Sequence, residues 1–109
     1  MLLQHASKAQ QHGLTKLWET DTVFRTPESV LFDGKGKRLF VSNIDGAPAE
    51  KDGKGFISIV GLDGKPISLA WIKGLNAPKG MGIYKNKLYV ADLTELVVID
   101  IKQGTIIEK

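Results

Sequence analysis

The chain has 109 residues, of which 42% are hydrophobic and 25% charged, a composition that suits one domain with a modest core and excludes disorder throughout. Its net charge of +3, from 15 basic and 12 acidic residues, is spread as single lysines through turns, which argues against a nucleic-acid patch. There is no cysteine, so disulfides and thiolate metal sites are excluded, and no apolar run approaches the ~20 residues that span a bilayer.

Residues 1–13 show no hydrophobic period, and a disordered N-terminus is predicted there. Leu2-Leu3 followed by Ala6-Ser7-Lys8-Ala9 resembles the end of an export signal. Two readings stay open: a start further upstream, which would make the protein exported or periplasmic, and a plain polar tail. Beyond this stretch the chain reads as short strands. Leu14, Leu17 and Trp18 mark a first segment, and Ser29–Phe32, Arg38–Ser42, Phe56–Val60 and Ile67–Ile72 are rich in β-branched or aromatic residues. Asp33-Gly34, Asp45-Gly46, Asp52-Gly53 and Asp63-Gly64 separate them, each suited to a tight turn because glycine tolerates positive φ. No long amphipathic helix is predicted.

An internal repeat organises these strands. Pro27-Glu28-Ser29-Val30-Leu31-Phe32 with Leu39-Phe40-Val41-Ser42 recurs as Pro78-Lys79-Gly80-Met81-Gly82-Ile83-Tyr84 with Leu88-Tyr89-Val90-Ala91. Phe56–Val60 is matched to Leu96–Asp100 as the third strand of each unit. The offset falls from 51 at the prolines to 49 at Val41/Val90 and 40 at Ile57/Val97, so the length differences sit in turns. A repeat of this length with four short strands is a propeller blade rather than a sandwich. The predicted fold is therefore all-β, two consecutive four-stranded antiparallel blades of an incomplete β-propeller. Residues 26–75 form the first blade and residues 76–109 a second, unfinished one.

Pro78-Lys79-Gly80-Met81-Gly82-Ile83, Leu88-Tyr89-Val90-Ala91-Asp92 and Val97-Val98-Ile99-Asp100 together resemble an NHL-type blade. Thr26-Pro27-Glu28-Ser29-Val30-Leu31-Phe32 resembles the opening blade of the senescence marker protein/gluconolactonase family. The resemblance covers residues 14–109. It implies a six-bladed parent with a divalent cation (Ca²⁺, Mg²⁺ or Zn²⁺) at one mouth of its central channel, and Glu28 is the one residue here that falls on a metal-ligand position. It further implies that residues 14–20 are the outermost strand of the last blade, the strand that closes the ring.

Hairpin geometry adds a second line of reasoning. The start of a first strand and the end of its antiparallel partner share an edge, which places Glu28 beside Asn43, Ile44 and Asp45, and Lys79 beside Asp92, Thr94 and Glu95. Glu28 is then a metal ligand or a solvated turn carboxylate. Lys79, Asn43, Asp45 and Asp92 become the substrate-binding candidates, Lys79 as a partner for a substrate carboxylate or for Glu28. The stretch from Ile44 to Gly55, about nine residues longer than its counterpart, lies on the same rim, where its Asp45, Glu50, Lys51 and Asp52 would overhang a channel or form a passive excursion.

His5 and His12 fall in the N-terminal tail, and the glycine-rich turns lack a following helix that could hold phosphate. GxxxxGK[ST] and GxSxG motifs are both absent. Trp18 and Trp71 are read as packing residues on outer strands.

Two functions follow from the resemblance. One is a metal-dependent hydrolase of sugar lactones or small esters, active only in the complete propeller. The other is a non-catalytic NHL-like propeller whose rim holds a ligand. The expected partners are a small-molecule substrate and, through exposed blade edges, further copies of the chain. Neither nucleic acid nor membrane is expected.

Overall fold

Aspartates at the strand ends set the turns. In the computed structural model, which describes residues 27–44 and 53–109, Asp33 Oδ1 accepts Gly36 N at 3.2 Å, Asp63 Oδ1 accepts Lys65 N at 2.9 Å and Asp100 Oδ1 accepts Gln103 N at 2.8 Å. Each carboxylate bonds its own backbone two or three residues on, closing a turn without help from the rest of the fold. Lys85 and Asn86 both adopt positive φ, 48° and 64°, the mirror-image geometry that matches the twist of a two-residue hairpin.

Eight strands result: β1 (Pro27–Asp33), β2 (Arg38–Asn43), β3 (Gly55–Gly61), β4 (Pro66–Leu75), β5 (Pro78–Tyr84), β6 (Lys87–Asp92), β7 (Glu95–Asp100) and β8 (Thr105–Glu108). They form two antiparallel four-stranded meanders in the orders β1-β2-β3-β4 and β5-β6-β7-β8. The described chain is thus all-β, with two consecutive sheets as expected of consecutive blades. No helix among the described residues is long and apolar enough to cross a membrane. Residues 14–20, Trp18, both histidines and Asp45 to Asp52 lie outside the described residues.

The registers bear directly on the repeat. Pro27 pairs with Asn43 and Pro78 with Asp92, and in both hairpins the first strand carries one extra residue after the proline, pairing resuming at Ser29↔Ser42 in the first and at Met81↔Val90 in the second. The same bulge at the same place is a structural repeat that the sequence alone does not display. In the third strand the expected match is off by one. Val41 pairs with Ser58 and Val90 with Val97, so Ser58 is the counterpart of Val97, and the offset is 39 rather than 40. A one-residue slip reverses the faces of a strand, and the corrected match puts Val60 and Ile99 on equivalent faces.

One face of the first sheet packs on one face of the second. Phe40, Ile57, Ile59, Ile72 and Leu75 meet Leu88, Val90, Val97 and Ile99 in a single buried cluster, with Leu31, Met81, Ile101 and Ile106 at its margin. Each such side chain contributes roughly 1.5–3 kcal/mol by leaving water, so this interface outweighs any polar contact between the sheets. Trp71 on β4 stacks on Phe40 at 5.2 Å between ring centroids and 29° between planes. The indole also fills the space beside Gly104, where a Cβ would lie 2.8 Å from its Nε1 and where φ is +67°. That residue must be glycine on both counts. On the other face of the first sheet, Val30, Leu39, Val41 and Val60 form a second buried cluster with Phe32 and Leu62 against it.

Candidate functional site

The expected rim exists as an edge of the fold. Alternation of strand directions brings the start of β1, the end of β2, the start of β3, the β4–β5 linker, the start of β5 and the β6–β7 turn to one end of the molecule. β1 and β5 lie side by side there, bridged by a serine pair. Ser29 Oγ and Ser42 Oγ are 2.8 Å apart, and both hydroxyls donate to Lys79 O, at 2.5 and 2.9 Å. Ser29 N donates to Ser42 Oγ at 3.1 Å. Gly80 and Ala91 stand at the corresponding positions of the second sheet, so this polar bridge belongs to the sheet–sheet junction alone.

Glu28 occupies the first bulge, Lys79 lies within the second, between Pro78 and Met81, and both are exposed. Bulges re-aim side chains and interrupt pairing, so each charge is presented away from the regular ladder at an equivalent point of adjacent first strands. They form no ion pair with each other. Thr94 and Glu95 at the β6–β7 turn are exposed as well.

Asn43 and Asp92 lie at the same end but point inward. Both are buried, Asn43 fully and Asp92 at 2% exposure, and both serve the backbone. Asp92 accepts Asn76 N through Oδ1 at 3.0 Å and Oδ2 at 2.9 Å, and Ala77 N through Oδ1 at 2.7 Å, so the carboxylate clamps the β4–β5 linker. Asn43 Nδ2 donates to Val41 O at 3.1 Å, Ser58 Oγ at 3.0 Å and Phe56 O at 3.5 Å. Its Oδ1 is buried with no hydrogen-bond partner among the described residues. The Asp92 carboxylate is thus occupied by backbone amides, whereas Asn43 keeps one oxygen without a partner among the described residues. Their position was legible: 39, 41, 43 and 88, 90, 92 are in phase, so each polar residue ends a buried row.

Asn76 is a residue that sequence reasoning missed. Its backbone N–H is held by Asp92, and its Oδ1 accepts Gly53 N at 3.1 Å, tying the end of the β2–β3 loop to the inter-sheet linker. Gly55 lies beneath the same linker; a Cβ there would meet Asn76 O at 2.8 Å and the Pro78 ring closer still. Gly53, just ahead of β3, is therefore anchored on the linker that joins the sheets.

The implied cation can be tested against these donors. Glu28 is an accessible hard oxygen ligand and Asn43 Oδ1 an unpartnered buried one, but Asp92 is engaged by two amides. No group of three histidine, cysteine or carboxylate side chains converges among the described residues. These residues by themselves do not fit a metal centre, since a divalent ion takes several protein ligands. Comparison with family models, with curated proteins and with solved structures finds no match to this chain.

Proposed function

We propose that this chain is the scaffold-bearing part of a propeller similar to the senescence marker protein/gluconolactonase family, whose complete form hydrolyses a sugar lactone or a similar small ester. The observation that carries the reading is the pair of matching bulges. Two stacked sheets with β1 beside β5 present Glu28 and Lys79 at equivalent exposed positions of one rim, where a propeller gathers its ligand contacts. In this reading Glu28 supplies one carboxylate toward the rim and Lys79 an ammonium that attracts an acidic substrate. The remaining ligands of a cation would come from further blades, and no catalytic step is derived from the residues at hand.

A ligand-binding propeller without chemistry uses the same scaffold. The burial of Asn43 and the engagement of Asp92 favour it, because the Asp92 carboxylate holds the backbone of Asn76 and Ala77 and Asn43 is wholly buried. Calorimetric titration of Ca²⁺, Mg²⁺ and Zn²⁺ into the complete polypeptide, with and without Glu28→Gln, separates the two. Loss of metal affinity in the variant is the result expected of the hydrolase; equal affinity, or no binding, leaves the binding module.

A further inference from the structure

The lysines that look scattered in the sequence converge in the fold. The β1–β2, β5–β6 and β7–β8 turns all fall at the end opposite Glu28, because every second connection of a meander returns to the same edge. They bring Lys35, Lys37, Arg38, Lys85, Lys87 and Lys102 together, against Asp33 and Asp100 in the same turns. The β3–β4 turn at that end adds one charge of each sign, Asp63 and Lys65. A cleft of about 610 Å³ opens between the two sheets here, lined by Lys35, Arg38 and Lys102 with Ile83 and Ile101 as its apolar part.

Of the two carboxylates in this cleft, Asp33 is paired with Arg38 and Asp100 closes its own turn. Asp33 accepts Gly36 N through Oδ1 and Arg38 Nε through Oδ2 at 3.1 Å, and Asp100 accepts Gln103 N. Arg38 is held from two sides, by that ion pair and by its guanidinium lying 5.2 Å from the centroid of the Phe40 ring. Its Nη groups have no hydrogen-bond partner among the described residues, so a fixed, partly buried fork of donors remains available. Lys35 Nζ donates to Asn86 Oδ1 at 3.2 Å, joining the β1–β2 turn of one sheet to the β5–β6 turn of the other beside the cleft.

We infer that this inter-sheet cleft binds a small organic phosphate, with the phosphate on Arg38, Lys35 and Lys102 and a short apolar body against Ile83 and Ile101. The volume lies within the range of small-molecule sites, and a guanidinium held in place, with two lysines lining the same cleft and outnumbering Asp33 and Asp100 with it, suits a dianionic, tetrahedral head better than a single carboxylate. The site is independent of the Glu28 rim, at the other end of the molecule.

The test is a titration of the isotopically labelled chain with phenyl phosphate at low salt, followed by amide resonances, with benzoate as the carboxylate control. Expected are shifts confined to residues 34–38, 83–87 and 100–104, an affinity about tenfold weaker in each of Lys35→Gln and Lys102→Gln, and weaker binding of benzoate. Arg38→Lys keeps the charge and loses the fork, and it should weaken binding while far-ultraviolet circular dichroism stays that of the parent. The proposal is overturned if no resonance moves, if Lys37→Gln and Lys85→Gln, outside the cleft, weaken binding as much as Lys35→Gln and Lys102→Gln, or if benzoate binds as tightly as phenyl phosphate.

Discussion

Replacing Asp92 by alanine distinguishes a structural clamp from a substrate contact. The carboxylate is 2% exposed and takes Asn76 N and Ala77 N at 2.7 to 3.0 Å. Hydrogen bonds to a charged acceptor are worth about 1.5–3 kcal/mol each, and the alanine variant also leaves buried donors without partners. Discounting for water entering the vacated space, the loss is about 3 kcal/mol, a large share of the ~5–15 kcal/mol that holds a domain folded. Asp92→Asn, which keeps one acceptor oxygen, should cost about half as much. Urea unfolding followed by tryptophan fluorescence reads both, and an unchanged denaturant slope would show that the two proteins unfold the same surface. An Asp92→Ala variant within ~0.5 kcal/mol of the parent would refute the clamp.

The corrected third-strand register predicts unequal costs at equivalent positions. Ile57→Ala should cost about 2–5 kcal/mol, since the residue is wholly buried between the sheets, whereas Leu96→Ala, 56% exposed, should cost well under 1 kcal/mol in the same urea assay. Gly104→Ala meets both a positive φ and the Trp71 indole, and it should lower stability by at least ~1 kcal/mol with a change in the tryptophan near-ultraviolet circular dichroism. Removing the serine bridge with Ser29→Ala and Ser42→Ala together should cost less than the sum of the two single changes, because either one alone already breaks the Ser29–Ser42 contact.

Much of this architecture was legible because several local signals agreed. The Asp-Gly pairs at 33–34 and 63–64 lie in turns, and the proline-led strands recur with the pairing the offsets of 51 and 49 require. The third strand misled because Phe56–Val60 and Leu96–Ile99 are apolar at nearly every position. A run without alternation carries no phase, so pairing with β2 and β6 decides its face. The bulges were invisible for a related reason: an extra residue between Pro27 and Ser29 changes no residue type and no spacing within the first strand, and it appears only against Asn43 and Ser42.

At the candidate site, residue type was the weaker guide. Hairpin geometry puts Asn43 and Asp92 at strand ends on one edge, and polarity alone makes them substrate-binding candidates, yet both are buried. Their parity with Leu39 and Val41, and with Leu88 and Val90, was the better signal. The convergence of lysines at the far end needed the connectivity of both meanders, because no two of those turns are neighbours in sequence.

Two copies of one sheet unit stack with their first strands adjacent, and proton–proton contacts measured by nuclear Overhauser spectroscopy read that arrangement. Contacts across Val41–Ser58 and Val90–Val97, with further contacts from Ser29 and Ser42 to Lys79 and Gly80, are the predicted pattern. Cross-strand contacts that insert β5 or β6 into the ladder of β1 to β4, or that set β1 against β8 instead of β5, would contradict it.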